Sequence, residues 1–147
     1  MTDSLLIKEL IQLLAATVGS IGFALVFNIP ADKLKWAAIG GCFSWACYLV
    51  CKHLGMHEYM CGLIAAALTT VYSEIVARFS KAPAIIYIVV STVPLIPGAA
   101  LYRSMYALLR QDYLTARAQG LYALLFASSM AAGIVMATLA EKTVTRS

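Results

Sequence analysis

The sequence predicts an all-α integral membrane protein: a bundle of about five transmembrane helices, the fourth broken at Pro94, Pro97 and Gly98. Three observations lead there. Of 147 residues, 62% are hydrophobic and 12% charged, with a mean hydropathy of +0.84. A soluble domain carries about 25% charged residues, so this chain has too few to coat a globule in water. Five charge-free runs divide it: Leu10–Phe27, Trp36–Cys51, Tyr59–Ser73, Ala82–Tyr102 and Ala118–Ala140. The segments between the runs are short, so residues 1–147 read as one transmembrane domain with spans at about 5–27, 34–51, 58–78, 83–109 and 117–140.

The first run is too long for the apolar core of a secretory signal, and Asp3 and Glu9 oppose Lys8 where such a signal is positive. It reads as a retained span, ended by Asn28-Ile29-Pro30. The second and third runs are short alone, since a hydrocarbon core of about 30 Å takes about 20 helical residues. Flanking charged residues that snorkel to the interface lengthen each. Gly55 separates these two spans. Small residues recur on the first two spans, at Ala16, Ser20 and Ala24 with Gly19 and Gly22, and at Gly40, Gly41 and Ser44. Such faces suit close helix packing in lipid, within the bundle or between copies in a homo-oligomer.

Ser80-Lys81-Ala82-Pro83 ends the third span and opens the fourth. The fourth then meets Val93-Pro94-Leu95-Ile96-Pro97-Gly98 near its middle. A proline inside a helix removes a donor and clashes with the carbonyl four residues back, costing about 3 kcal/mol. In lipid no water repairs the damage, so such a break persists only where protein or a polar cavity satisfies the backbone. Two half-helices are expected, the second starting near Pro97 with the amides of Gly98, Ala99 and Ala100 facing the break. A helix N-terminus attracts anions, and broken transporter helices use it to hold a substrate carboxylate. Ser91 and Thr92 add hydroxyls beside the break. A structural kink that only shapes the bundle remains the alternative. Arg110-Gln111-Asp112 closes the fourth span before the fifth.

Other polar residues divide between function and structure. Glu74 lies four residues before Arg78, where the two can pair on one helix face or where Glu74 can carry a coupled proton. Arg103 suits bidentate contact with a substrate carboxylate and equally suits snorkelling to headgroups. Tyr102 and Tyr87 fit a cavity lining or an interfacial belt. His53, His57 and Glu58, near Cys51, make a loose metal-ligand set that Gly55 interrupts, so neither a metal nor a cofactor is expected. The four cysteines show no CxxC spacing. The basic residues are scattered singly, which excludes a nucleic-acid surface, and no nucleotide-binding or metalloprotease motif is present, so an enzyme is not expected. Lysine and arginine fall six on one side of the membrane and five on the other, which leaves the orientation open.

The segments Phe23-Ala-Leu-Val-Phe-Asn-Ile-Pro30, Ala77-Arg78, Lys81-Ala82-Pro83 and Pro94-Leu-Ile-Pro97-Gly98, with Tyr102 and Met105, resemble the threonine/serine exporter family in order and spacing. Ser91-Thr92 departs from the glycine that many relatives carry there. The resemblance covers the family's smaller C-terminal module of about five spans. It implies the small subunit of a split exporter in the bacterial cytoplasmic membrane, working with a larger subunit of the same family. It further implies proton-motive-force-driven efflux of threonine and serine, or of a small dicarboxylate such as succinate. Substrate contacts are then expected at Ser91, Thr92, Pro94, Pro97, Gly98, Ala99, Tyr102 and Arg103, with Glu74 the proton carrier. A related module of five spans in the partner gives the pair inverted topology. A purely structural subunit and a passive channel are the rival functions.

Overall fold

The computed structural model describes residues 2–145, all of them helix or short turns. In order the helices are α1 (Thr2–Val26), α2 (Ala31–His53), α3 (Glu58–Ser80), α4 (Ala84–Thr92), a 3-10 turn (Val93–Leu95), α5 (Gly98–Leu109) and α6 (Tyr113–Thr145). Helices α1, α2, α3 and α6 are each long and apolar enough to cross a membrane. Helices α4 and α5 make a fifth crossing only as a pair, bent by 57° at the proline segment.

The helices outrun the charge-free runs because charged residues extend their ends. α2 starts at Ala31, directly after Pro30, and α6 starts at Tyr113 and ends at Thr145. Outside the broken span, each connection is a tight helix stop with one residue in the left-handed region: Asn28 (φ 54°), Gly55 (75°), Lys81 (50°) and Gln111 (59°). The residue after each donates its amide to a carbonyl five residues back: Ile29 to Ala24, Met56 to Cys51, Ala82 to Ala77 and Asp112 to Ala107. This Schellman pattern satisfies the last carbonyls of a helix with few loop residues.

Packing rests on small residues. Ala16, Ser20 and Ala24 of α1 and Gly40, Gly41 and Ser44 of α2 are buried, so these stripes pack inside the bundle. Gly19 and Gly22 face open space. Helices α3 and α6 run parallel and touch closely at two levels. A Cβ on Gly62 would stand 2.9 Å from the Phe126 ring, and one on Gly133 would overlap the Leu63 carbonyl. The hydroxyls of Thr69, Thr70 and Ser73 inside α3 donate to carbonyls four residues back at 2.7–2.8 Å, which removes the cost of burying them in an apolar bundle.

Large hydrophobic side chains point outward along the helices, among them Leu14, Val26, Phe79 and Leu124. In water such a surface aggregates; in hydrocarbon it matches the solvent. Polar ties sit at the two ends. At one end His53 Nε2 lies 2.7 Å from Glu9 Oε1, joining α2 to α1, and the Tyr122 hydroxyl donates to Glu58 Oε2 at 2.7 Å, joining α6 to α3. At the other end Arg78 of α3 pairs with Glu141 of α6.

Candidate functional site

The break in the fourth span is built by its prolines and repaired by its neighbours. Pro94 has no amide hydrogen, so the Val90 carbonyl loses its ordinary helical partner. Two donors replace it. The Val93 amide closes a tighter turn onto Val90, and the Ser20 hydroxyl of α1 donates to the same oxygen at 3.3 Å. Ser20 comes this close because Gly41 of α2 lies behind it: a Cβ there would overlap Ser20 Oγ and come within 3.3 Å of the Ala16 carbonyl.

Pro97 strips the Val93 carbonyl in the same way, and the Ile96 amide takes it at 3.1 Å. Pro97 itself adopts φ −77°, ψ 55°, an inverse γ-turn that aims the Gly98 amide at the Ile96 carbonyl 2.7 Å away. Helix α5 begins there, with the Ala100 and Leu101 amides both donating to the Pro97 carbonyl, at 3.1 and 3.2 Å. Of the three amides expected to face the break, those of Gly98 and Ala100 are therefore engaged within the chain. The Ala99 amide has no backbone acceptor among the described residues.

The bend carries α5 along α6, where Ser104 donates to the Ala116 carbonyl at 2.8 Å beside Gly120. A cavity of about 450 Å³ opens beneath the break, within the size range of small-molecule sites. Pro94, Leu95, Ile96, Pro97, Gly98, Ala99 and Ala100 form its roof. Its polar wall is Arg103 of α5, Glu58 of α3, Gln119 and Tyr122 of α6, and Tyr48 of α2. Trp45 completes the wall; its Nε1 is buried and has no hydrogen-bond partner. The wall thus holds one cation, one carboxylate and several neutral hydrogen-bonding groups.

Five of the residues expected at a substrate site converge on this cavity: Pro94, Pro97, Gly98, Ala99 and Arg103. Three do not line it. Ser91 is fully buried between α4 and α2, its Oγ lodged over Gly40 with no hydrogen-bond partner. The Thr92 hydroxyl is used by its own helix, donating to Ile88 and Val89 carbonyls at 2.8 and 3.1 Å. Tyr102 is 69% exposed on the outer side of α5, stacked on Tyr106. The helical period explains Tyr102: one residue from Arg103, it is turned about 100° away around the axis. Tyr87 is also remote, buried with its hydroxyl donating to Ser80.

Glu74 sits elsewhere. It is 9% exposed and lines a second cavity of about 310 Å³ between α3 and α6, with Arg78, Ala137, Ala140 and Glu141. An ion pair there joins Arg78 of α3 to Glu141 of α6. The two cavities lie toward opposite ends of the same helix–helix seam. Among the described residues no group of three or more histidines, cysteines or carboxylates is placed to hold a metal.

Sequence reading groups Glu58 with the histidines of a turn. In the structure it is the first residue of α3 and a cavity residue, and Tyr122, Gln119 and Trp45 are further members. Only the three-dimensional crossing of α2, α3 and α6 brings them to the break. The family model described as Threonine/Serine exporter, ThrE, matches residues 12–140. No solved structure matches the chain.

Proposed function

The chain belongs to the threonine/serine exporter family, and from that premise we propose that the cavity beneath the broken span is its share of an amino-acid export path. The observation that carries this reading is the meeting of Arg103 with the uncommitted Ala99 amide at the start of α5, in one cavity. A substrate carboxylate entering there gains a bidentate, permanently charged partner and the positive end of a helix. Gly98 leaves the approach clear, since nothing stands within 4 Å of its open side.

The fine detail of the proposal is a small subunit in the bacterial cytoplasmic membrane, working with a larger subunit of the same family on serine, threonine or a small carboxylate. Rocking of the two modules against each other alternates access. The proton motive force enters through Glu74. Protonation there neutralises one carboxylate of the Glu74, Arg78 and Glu141 cluster and changes what holds α3 to α6 at that end. Because the substrate cavity uses the opposite end of the same seam, a shift there reaches it.

Labelled-substrate flux in proteoliposomes tests the proposal, with this chain alone and with the larger subunit, and with and without a pH gradient. Gradient-driven flux with both chains is expected, and Arg103→Gln is expected to cut it by about tenfold or more, the worth of a hydrogen bond to a charged group. Unchanged flux in well-folded Arg103→Gln contradicts the proposal.

A further inference from the structure

Two charges of opposite sign share the cavity wall, and a site for a carboxylate alone has no use for the second. Glu58 Oε2 accepts the Tyr122 hydroxyl at 2.7 Å, while Oε1 accepts no hydrogen bond among the described residues. The Tyr122 ring is fixed between Tyr59 and Phe126, with centroids 5.8 and 6.1 Å away, so its hydroxyl holds the carboxylate in one place. An ionised carboxylate has about four acceptor positions, and a single phenol leaves most of them open. Arg103 is the one cation among the residues lining the cavity.

We propose that Glu58 is the specificity-determining residue of this cavity: it receives the ammonium group of a zwitterionic substrate whose carboxylate meets Arg103, and so selects α-amino acids over dicarboxylates. The proposal rests on the reading of the cavity as the substrate site. One charge of each sign on the wall complements one charge of each sign on the ligand. A dicarboxylate brings its second negative charge against Glu58, and like charges held close together repel.

The experiment is equilibrium binding of radiolabelled serine, 3-hydroxypropionate and succinate to the full chain, reconstituted with the larger subunit in lipid nanodiscs. 3-Hydroxypropionate keeps the carboxylate and hydroxyl of serine and lacks the amine. Glu58→Gln retains an amide oxygen for Tyr122, so the tie between α3 and α6 survives. The expected result is about a tenfold or greater loss of serine affinity in Glu58→Gln, no loss for 3-hydroxypropionate, and equal or tighter succinate binding. Arg103→Gln should weaken all three. Arg103-dependent serine binding that Glu58→Gln leaves unchanged, or a loss equal for serine and 3-hydroxypropionate, overturns the role of Glu58 alone. Wild-type protein that binds none of the three, or binds them independently of Arg103, overturns the cavity reading and this proposal with it.

Discussion

Beside the turn's own amides, one hydroxyl and one missing methyl group tie the broken span to its neighbours. Ser20 repairs the carbonyl that Pro94 orphans, and Gly41 gives Ser20 the space to do so. Gly41→Ala forces α1 away from α2 at that level, because the clash involves Ser20 Cβ at 2.5 Å as well as its movable oxygen. A loss of about 1–3 kcal/mol is expected, in the range for overpacking a tight contact. Gly19→Ala is the control, since its Cβ meets nothing. Denaturant unfolding in micelles compares the two, and equal stability of both variants contradicts the assignment. The prolines themselves advertise the break in the sequence, because their chemistry is local. The repair does not show there: Ser20 and Val90 are 70 residues apart, and one serine on a small-residue stripe looks like any other. Ser91 and Thr92 lie off this cavity for a related reason, since nearness along the chain does not tell which way a hydroxyl turns.

Helix ends carry the next level of organisation. Each helix-to-helix turn outside the broken span carries a left-handed residue, yet only Gly55 is a glycine. The stops at Asn28, Gly55, Lys81 and Gln111 are visible in sequence mainly as polar interruptions, which locates the turns to within a few residues but not their form. The start of α6 is sharper. Asp112 Oδ1 accepts the Thr115 amide at 3.1 Å, a side-chain cap on an orphan donor. Hydrogen bonds from Thr115, side chain first and amide second, hold its carboxyl below the ordinary carboxylate value. A depressed folded-state pKa means a stabilising contribution present above the unfolded value and lost as pH falls through the folded one. The difference in thermal midpoint between wild type and Asp112→Ala is therefore expected to be full at neutral pH and to shrink in acid, below about pH 4. A difference that stays constant from pH 7 to pH 3 contradicts the cap. Thermal scans of both proteins in the same detergent across that range decide it.

At the scale of the whole molecule, the all-helical membrane bundle is legible in composition, since long apolar segments cross a bilayer as helices and charged ends lengthen the shorter ones. What composition leaves out is the parallel seam of α3 and α6. It depends on Gly62 and Gly133 meeting Phe126 and Leu63, contacts between residues far apart in sequence. That seam puts Glu58 and Tyr122 into one cavity and Glu74 into another, so the carboxylate that shares a cavity with the break is one the sequence groups only with the histidines of a turn. Membership of the exporter family supports an amino-acid cargo; the proposed path for it runs where the seam meets the bend. The most direct test of a substrate cavity beneath the break is chemical protection. Ala99 lines the cavity at the start of α5. In a background with Cys42, Cys47, Cys51 and Cys61 replaced, the rate at which a small thiol reagent modifies Ala99→Cys is measured with and without serine. Modification slowed by serine, in proportion to its concentration and not by glucose, is the expected result. An identical rate at saturating serine, in protein that still transports it, would place the substrate elsewhere.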